Sequence, residues 1–183
     1  MQKQLLFILS FLLFISCNSV KNTQEAINKG NFDEAISLIV YKLQKNKTAK
    51  YNQSYIPLLE DSYQKIVARD LKRIDFLEKE ENKENLEKIY NTYVNLNNTQ
   101  NSIEALLPLH IIEEGRDATF AFNNYTNEIL IARNQLSAYL YSNVKDHFSA
   151  DTKLDYRKAF EDLEYIEKIN PNYKDVRNLI NVA

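Results

Sequence analysis

Apolar side chains recur along most of this chain at three- and four-residue steps, the period of a helix with one buried face. Tyr55, Ile56, Leu59, Tyr63, Ile66, Val67, Leu71, Ile74 and Leu77 form the longest such stripe. Leu86, Ile89, Tyr90, Tyr93 and Val94 make a second, and Phe122, Tyr125, Ile129, Ala132, Leu136, Tyr139, Leu140, Val144 and Phe148 a third. A fourth runs through Tyr156, Ala159, Phe160, Leu163, Ile166 and Ile169. Caps and breakers set the bounds. A short helix from about Thr23 to Lys29 is closed by Gly30, which can enter the left-handed region, and a second spans about Phe32 to Lys45. Ser54 caps a long helix that takes Pro57 in its first turn and ends near Glu80. Turns at Glu81-Asn82-Lys83 and Asn97-Asn98-Thr99 bracket a helix to about Leu96. The next begins at Gln100, is bent or stopped at Pro108, and closes by Gly115. Asp117 or Thr119 caps a helix to about Phe148, Asp151 caps one to about Ile169, and Pro171 starts a final one.

Composition agrees with helices. The chain has two glycines and three prolines, too few to punctuate an all-β domain. The predicted fold class is all-α, built of antiparallel helical hairpins, because short turns between long helices make antiparallel neighbours. Acidic and basic residues are mixed along the chain and the formal net charge is −2; no basic stripe marks a nucleic-acid partner.

The N-terminus has a different pattern. Leu5 to Ile15 is an apolar run of 11 positions broken by Ser10, preceded by Lys3 and followed by Ser16, Cys17, Asn18 and Lys21. That run is shorter than the roughly 20 residues a spanning helix needs, and it has the layers of a secretory leader. The sequence Phe14-Ile15-Ser16-Cys17 resembles the lipobox of bacterial lipoproteins, with Phe14 where Leu is favoured. The resemblance implies cleavage between Ser16 and Cys17, a diacylglyceryl group on the Cys17 sulfur and an acylated amino terminus. On this reading residues 1–16 are the leader, 17–22 a lipidated tether, and 23–183 a helical domain that either ends there or continues in a longer protein. Three acyl chains would hold the body durably where one would not. With Cys17, the single cysteine, alkylated, no disulfide is available and stability rests on packing. Asn18 replaces the Asp of an inner-membrane retention signal, and no acidic run follows. The expected location is therefore the outer membrane, facing the periplasm.

Two segments carry a finer pattern. In Gly30-Asn31-Phe32-Asp33-Glu34-Ala35, an aromatic precedes an alanine by three residues; Tyr156-Arg157-Lys158-Ala159 repeats the pair, with Pro171 twelve residues further on. This resembles the second helix of a tetratricopeptide repeat, in which a small residue lets two helices approach and an aromatic fills the space beside it. The resemblance implies a TPR-like α-solenoid. Leu154 and Lys47 stand where that pattern has glycine and proline, and the interior helices exceed it in length. The residues alone leave an irregular helical bundle open.

Candidate chemistry is sparse. His110 and His147 lie far apart and neither follows a glutamate at three residues; no zinc-protease motif occurs. His110, Glu113 and Glu114 would share a helix face. Ser62-Tyr63-Gln64-Lys65 matches the Ser-x-x-Lys signature of penicillin-recognising enzymes, without its partner motifs. No catalytic, metal or cofactor residues are assigned. Asn-x-Ser/Thr sequences at Asn46, Asn52, Asn97 and Asn124 reflect an Asn-rich chain. Val176, Leu179, Ile180 and Ala183 begin a stripe that either packs back or continues in a longer protein. The expected function is a membrane-tethered helical scaffold with a protein partner in the envelope. Glycan capture for nutrient uptake is the alternative, and a Ser-x-x-Lys hydrolase comes behind both.

Overall fold

The computed structural model describes residues 20–150 and 152–181. The leader, Cys17, Asp151 and Ala183 lie outside the described residues.

The chain is all-α. In order it forms α1 (residues 20–28), α2 (Phe32–Lys45), α3 (Tyr55–Lys79), α4 (Leu86–Glu104), a two-residue antiparallel ladder of β1 (His110–Ile111) and β2 (Arg116–Asp117), then α5 (Thr126–Ala150), α6 (Lys153–Ile169) and α7 (Val176–Ile180). Among the described residues no helix is long and apolar enough to cross a membrane. The described residues form two compact units, one of residues 20–72 and 96–123, the other of 73–95 and 124–181.

In the first unit, residues 20–22, inside the segment assigned to the tether, already belong to α1, and Val20 packs against the core. Its end is set by Gly30 at φ +80°. The Asn31 N–H reaches the Ala26 carbonyl at 2.9 Å and the Gly30 N–H the Ile27 carbonyl at 3.0 Å, the paired bonds of a Schellman cap. α2 has Asp33 and Glu34 in its first turn and Lys42 and Lys45 in its last, each sign at the end its dipole favours. The core joins Ile36, Ile39 and Leu43 of α2 to Ile56, Leu59, Tyr63 and Ile66 of α3 and to Ile103, with Phe32 partly buried against it. Asn52 is buried, and its amide donates to the Lys42 and Asn46 carbonyls at 3.2 and 2.8 Å, which satisfies the end of α2.

Five expectations fail in this part of the chain. α4 runs unbroken through Asn97-Asn98-Thr99: Ile89, Thr92, Leu96, Gln100 and Ile103 are buried at helical spacing, and the polar triplet lies outside that face. After α4 the chain leaves the helix at Glu104, and Pro108 follows a cis peptide bond. Gly115, at φ +63°, turns the β1–β2 hairpin rather than ending a helix. His110, Glu113 and Glu114 therefore share no helix face. Residues 118–125 are non-helical, so Asp117 and Thr119 cap nothing; the Asn124 side chain accepts from the Thr126 N–H at 3.0 Å at the start of α5. In α3 the stripe passes through Asp70, which is 4% exposed, while Leu71 is 37% exposed.

In the second unit, α5 and α6 are joined by two residues and pack along one another. Ala159, Leu163 and Ile166 of α6 are fully buried with Val144 of α5. Thr152 caps α6, accepting from the Asp155 N–H at 3.2 Å. Pro171 lies in the turn before α7 and not at a helix start; Asn172 and Lys174, both at positive φ, carry the reversal. α7 packs back: Val176 is fully buried, with Leu179 and Ile180 against the same core. The Tyr141 hydroxyl donates to Asp175 at 2.6 Å, and the Lys145 and Lys174 ammoniums lie over the Tyr141 ring at 5.0 and 4.3 Å. This hydrogen bond raises the Tyr141 pKa and lowers that of Asp175.

Candidate functional site: a cleft beside α3 in the first unit

One turn after another of α3 presents Glu60, Tyr63, Gln64 and Val67 to the same side. Opposite them runs the segment Thr119-Phe120-Ala121, and the two walls enclose a cleft of about 500 Å³. Its floor is aromatic. Phe120 and Phe122 are stacked at 5.6 Å, and both meet Tyr63 edge-on, at 5.7 and 5.4 Å. Edge-to-face contact sets the positive rim of one ring against the negative face of the next.

The non-helical wall is fixed at both ends by polar groups. Glu60 accepts two bonds from the Arg116 guanidinium, at 2.9 and 2.8 Å. It also accepts the Thr119 N–H at 2.7 Å and the Thr119 hydroxyl at 3.0 Å. Arg116 Nε reaches Glu114 at 2.6 Å, and the Ala118 N–H bonds the Leu109 carbonyl at 2.8 Å. Arg116 first and then Thr119 hold the Glu60 carboxyl down to about 2, and the carboxylates of Glu60 and then Glu114 raise the Arg116 pKa in turn. At the far end Gln100 Oε1 accepts both the Tyr63 hydroxyl at 3.2 Å and the Asn123 N–H at 2.9 Å. Gln100 Nε2 donates to Glu104 at 3.1 Å. A segment without helix or sheet ladder is thus held in one position by side chains.

A second clamp secures the α1–α2 turn. Arg69 donates to Asp33 at 2.9 Å, to Asp70 at 2.7 Å and to the Gly30 carbonyl at 3.3 Å, with its guanidinium 5.5 Å from the Phe32 ring. Asp70 and Asp33 raise the Arg69 pKa, Asp70 foremost.

Of the residues singled out in the sequence, Gly30, Phe32 and Ala35 come together around this turn in the first unit, and Ala35 is fully buried. Tyr156 and Ala159 lie in α6 of the second unit. Ala159 is fully buried; Tyr156 is 38% exposed, its ring 5.6 Å from Phe148. Ser62 is fully buried and donates to the Leu58 carbonyl at 2.6 Å, while Lys65 extends to Asp61 at 2.7 Å. The two side chains of the Ser-x-x-Lys sequence are therefore engaged separately. His110 pairs with Asp117 at 3.0 Å and His147 with Asp155 at 3.5 Å. Among the described residues no group of three or more His, Cys, Asp or Glu is placed to hold a metal.

Sequence reasoning missed Glu60, Gln100 and Arg116. Their partners stand 56 residues away for Glu60 and Arg116, and 23 away for Gln100 and Asn123, with no local period to expose them. The wall they hold did carry a signal: Thr119-Phe120-Ala121-Phe122 is rich in β-formers and alternates at period two. No protein-family model matches the chain, and no match is found among curated proteins or solved structures.

Proposed function

We propose that this chain is a lipid-anchored helical scaffold of the bacterial cell envelope, tethered through Cys17, that holds an extended segment of another envelope protein in the cleft beside α3. The carrying observation is the cleft's construction: an aromatic and aliphatic floor of Tyr63, Val67 and Phe120 beside a non-helical wall that Glu60 and Gln100 hold in place. A pre-set wall lowers the ordering cost of binding, and tyrosine suits an interface because it joins a large contact face to a polar tip. Ala121 on that wall is exposed.

Asn18 after the cysteine supports the outer membrane as the body's location, and the lack of an acidic run after Cys17 supports its periplasmic side. The buried Ala35 and Ala159 are compatible with TPR-like hairpins, which bind partners through grooves. Glycan capture is the second reading, favoured by the Phe120 ring lying beside the polar Gln64 and Thr119.

A photo-crosslinking residue at Ala121, activated in intact cells, tests the proposal. The expected result is a discrete protein adduct that Val67→Glu abolishes. An absent protein adduct together with thermal stabilisation by oligosaccharides would favour glycan capture instead.

A further inference from the structure

Ala35 to Leu59 contains Lys42, Lys45, Lys47 and Lys50 and no acidic residue, in a chain of net charge −2. The fold gathers this run at one end of the first unit. α1 and α2 meet at the Gly30 turn, and Val20 and Val40 stand ten residues on either side of it. At about 1.5 Å per residue, the start of α1 lies level with the last turns of α2.

That end is rich in exposed tyrosine and aliphatic side chains. Tyr41 and Tyr51 are 54% and 65% exposed, and Lys45 Nζ stands 4.2 Å from the Tyr41 ring centre. Lys47 Nζ donates to the Leu106 carbonyl at 2.8 Å, and Gln53 accepts the Ile112 N–H at 3.2 Å. Those bonds bring exposed Leu107 and Ile112 beside the basic run. Arg116 is shared by Glu60 and Glu114, so that trio keeps one net negative charge, and Glu113 beside Ile112 adds a second, against the four lysines of the run.

We propose that the end of the first unit formed by Tyr41, Lys45, Lys50, Tyr51, Leu107 and Ile112 rests on the anionic headgroups of the bilayer that anchors Cys17. The inference rests on the lipid-anchor reading and takes its geometry from chain length. Three residue steps separate Cys17 from Val20 in α1, and even fully extended they span only about 10 Å. An anchored sulfur therefore keeps the start of α1, and the basic end level with it, close to the headgroups. Lysines there gain from the negative surface potential, and tyrosines favour the interface. Ile112 and Leu107 supply short apolar contacts of the kind that deepen interfacial binding.

Mature lipidated protein in vesicles containing phosphatidylglycerol tests this. A thiol-linked fluorophore is placed at Tyr51→Cys or, as reference, at Glu34→Cys, 11 residues before Lys45 on α2; acylated Cys17 takes no label. Brominated lipid should quench the Tyr51→Cys probe several-fold more than the reference, and Lys45→Glu with Lys50→Glu should shrink the gap. Equal quenching of the two probes on vesicle-bound protein overturns the docking while the anchor stands. A gap that survives both charge reversals overturns the headgroup attraction. Protein that fails to float with the vesicles overturns the anchor reading itself.

Discussion

Leu59→Ala lowers the free energy of unfolding by about 2–5 kcal/mol, whereas Leu71→Ala, on the same helix, changes it by less than about 1 kcal/mol. Both substitutions remove the same atoms, and sequence periodicity places both leucines on one stripe. Burial separates them. Leu59 is fully enclosed in the core that also holds Ile39, Leu43 and Ile103. Its truncation loses transfer free energy and leaves a cavity that close-packed neighbours refill only in part. Leu71 is 37% exposed, so water fills the space its side chain vacates. Urea unfolding of the two variants checks the contrast: the midpoint should fall sharply for Leu59→Ala with little change in slope.

Glu60→Gln costs about 2 kcal/mol of stability at pH 7, and the deficit disappears in acid. In the folded chain the Glu60 carboxyl titrates at about 2, against an ordinary value of 4.5, chiefly because Arg116 and then Thr119 donate to it. Between those values the unfolded chain binds a proton that the folded chain refuses. The stabilisation is therefore complete above about pH 4.5, declines as pH falls, and is lost below about 2. A shift of that size converts to about 3 kcal/mol at most. Water around Arg116, whose side chain is 43% exposed, reduces the figure to about 2 kcal/mol. Urea midpoints for wild type and Glu60→Gln, measured at neutral pH and at intervals down to pH 3, should draw together below about pH 4.5, with part of the gap still present at pH 3.

The helices were legible where the signal was local. The bounds of α2 coincide with those read from its flanking residues, and Gly30 closes α1 as a left-handed cap because a glycine at that place has no Cβ to resist it. What escaped was decided by distant contacts. Asn97-Asn98-Thr99 has the composition of a turn, yet it stays helical because Leu96 and Gln100 on either side of it are buried on one face. Asp117 and Thr119 are good helix-capping types and Phe122 continues the spacing of α5, which reads as an earlier helix start. Glu60 and Gln100 instead bond the Thr119 and Asn123 main chain and hold this segment out of helix. Asp70 is buried in the α3 stripe, where Arg69 beside it supplies a counter-charge. The basic run from Lys42 to Lys50 was present in the sequence throughout. It was hidden by averaging charge along the whole chain, and its position beside Leu107 and Ile112 required the fold.

Both the scaffold reading and the membrane-facing end depend on Cys17 carrying lipid. The direct measurement is the intact mass of the protein extracted from cell membranes, with fragmentation of its N-terminal peptide. The account predicts a chain that begins at Cys17, with a diacylglyceryl group on sulfur and an acyl group on the amino terminus. A chain that retains residues 1–16, or one that begins elsewhere with an unmodified Cys17 thiol, would contradict it.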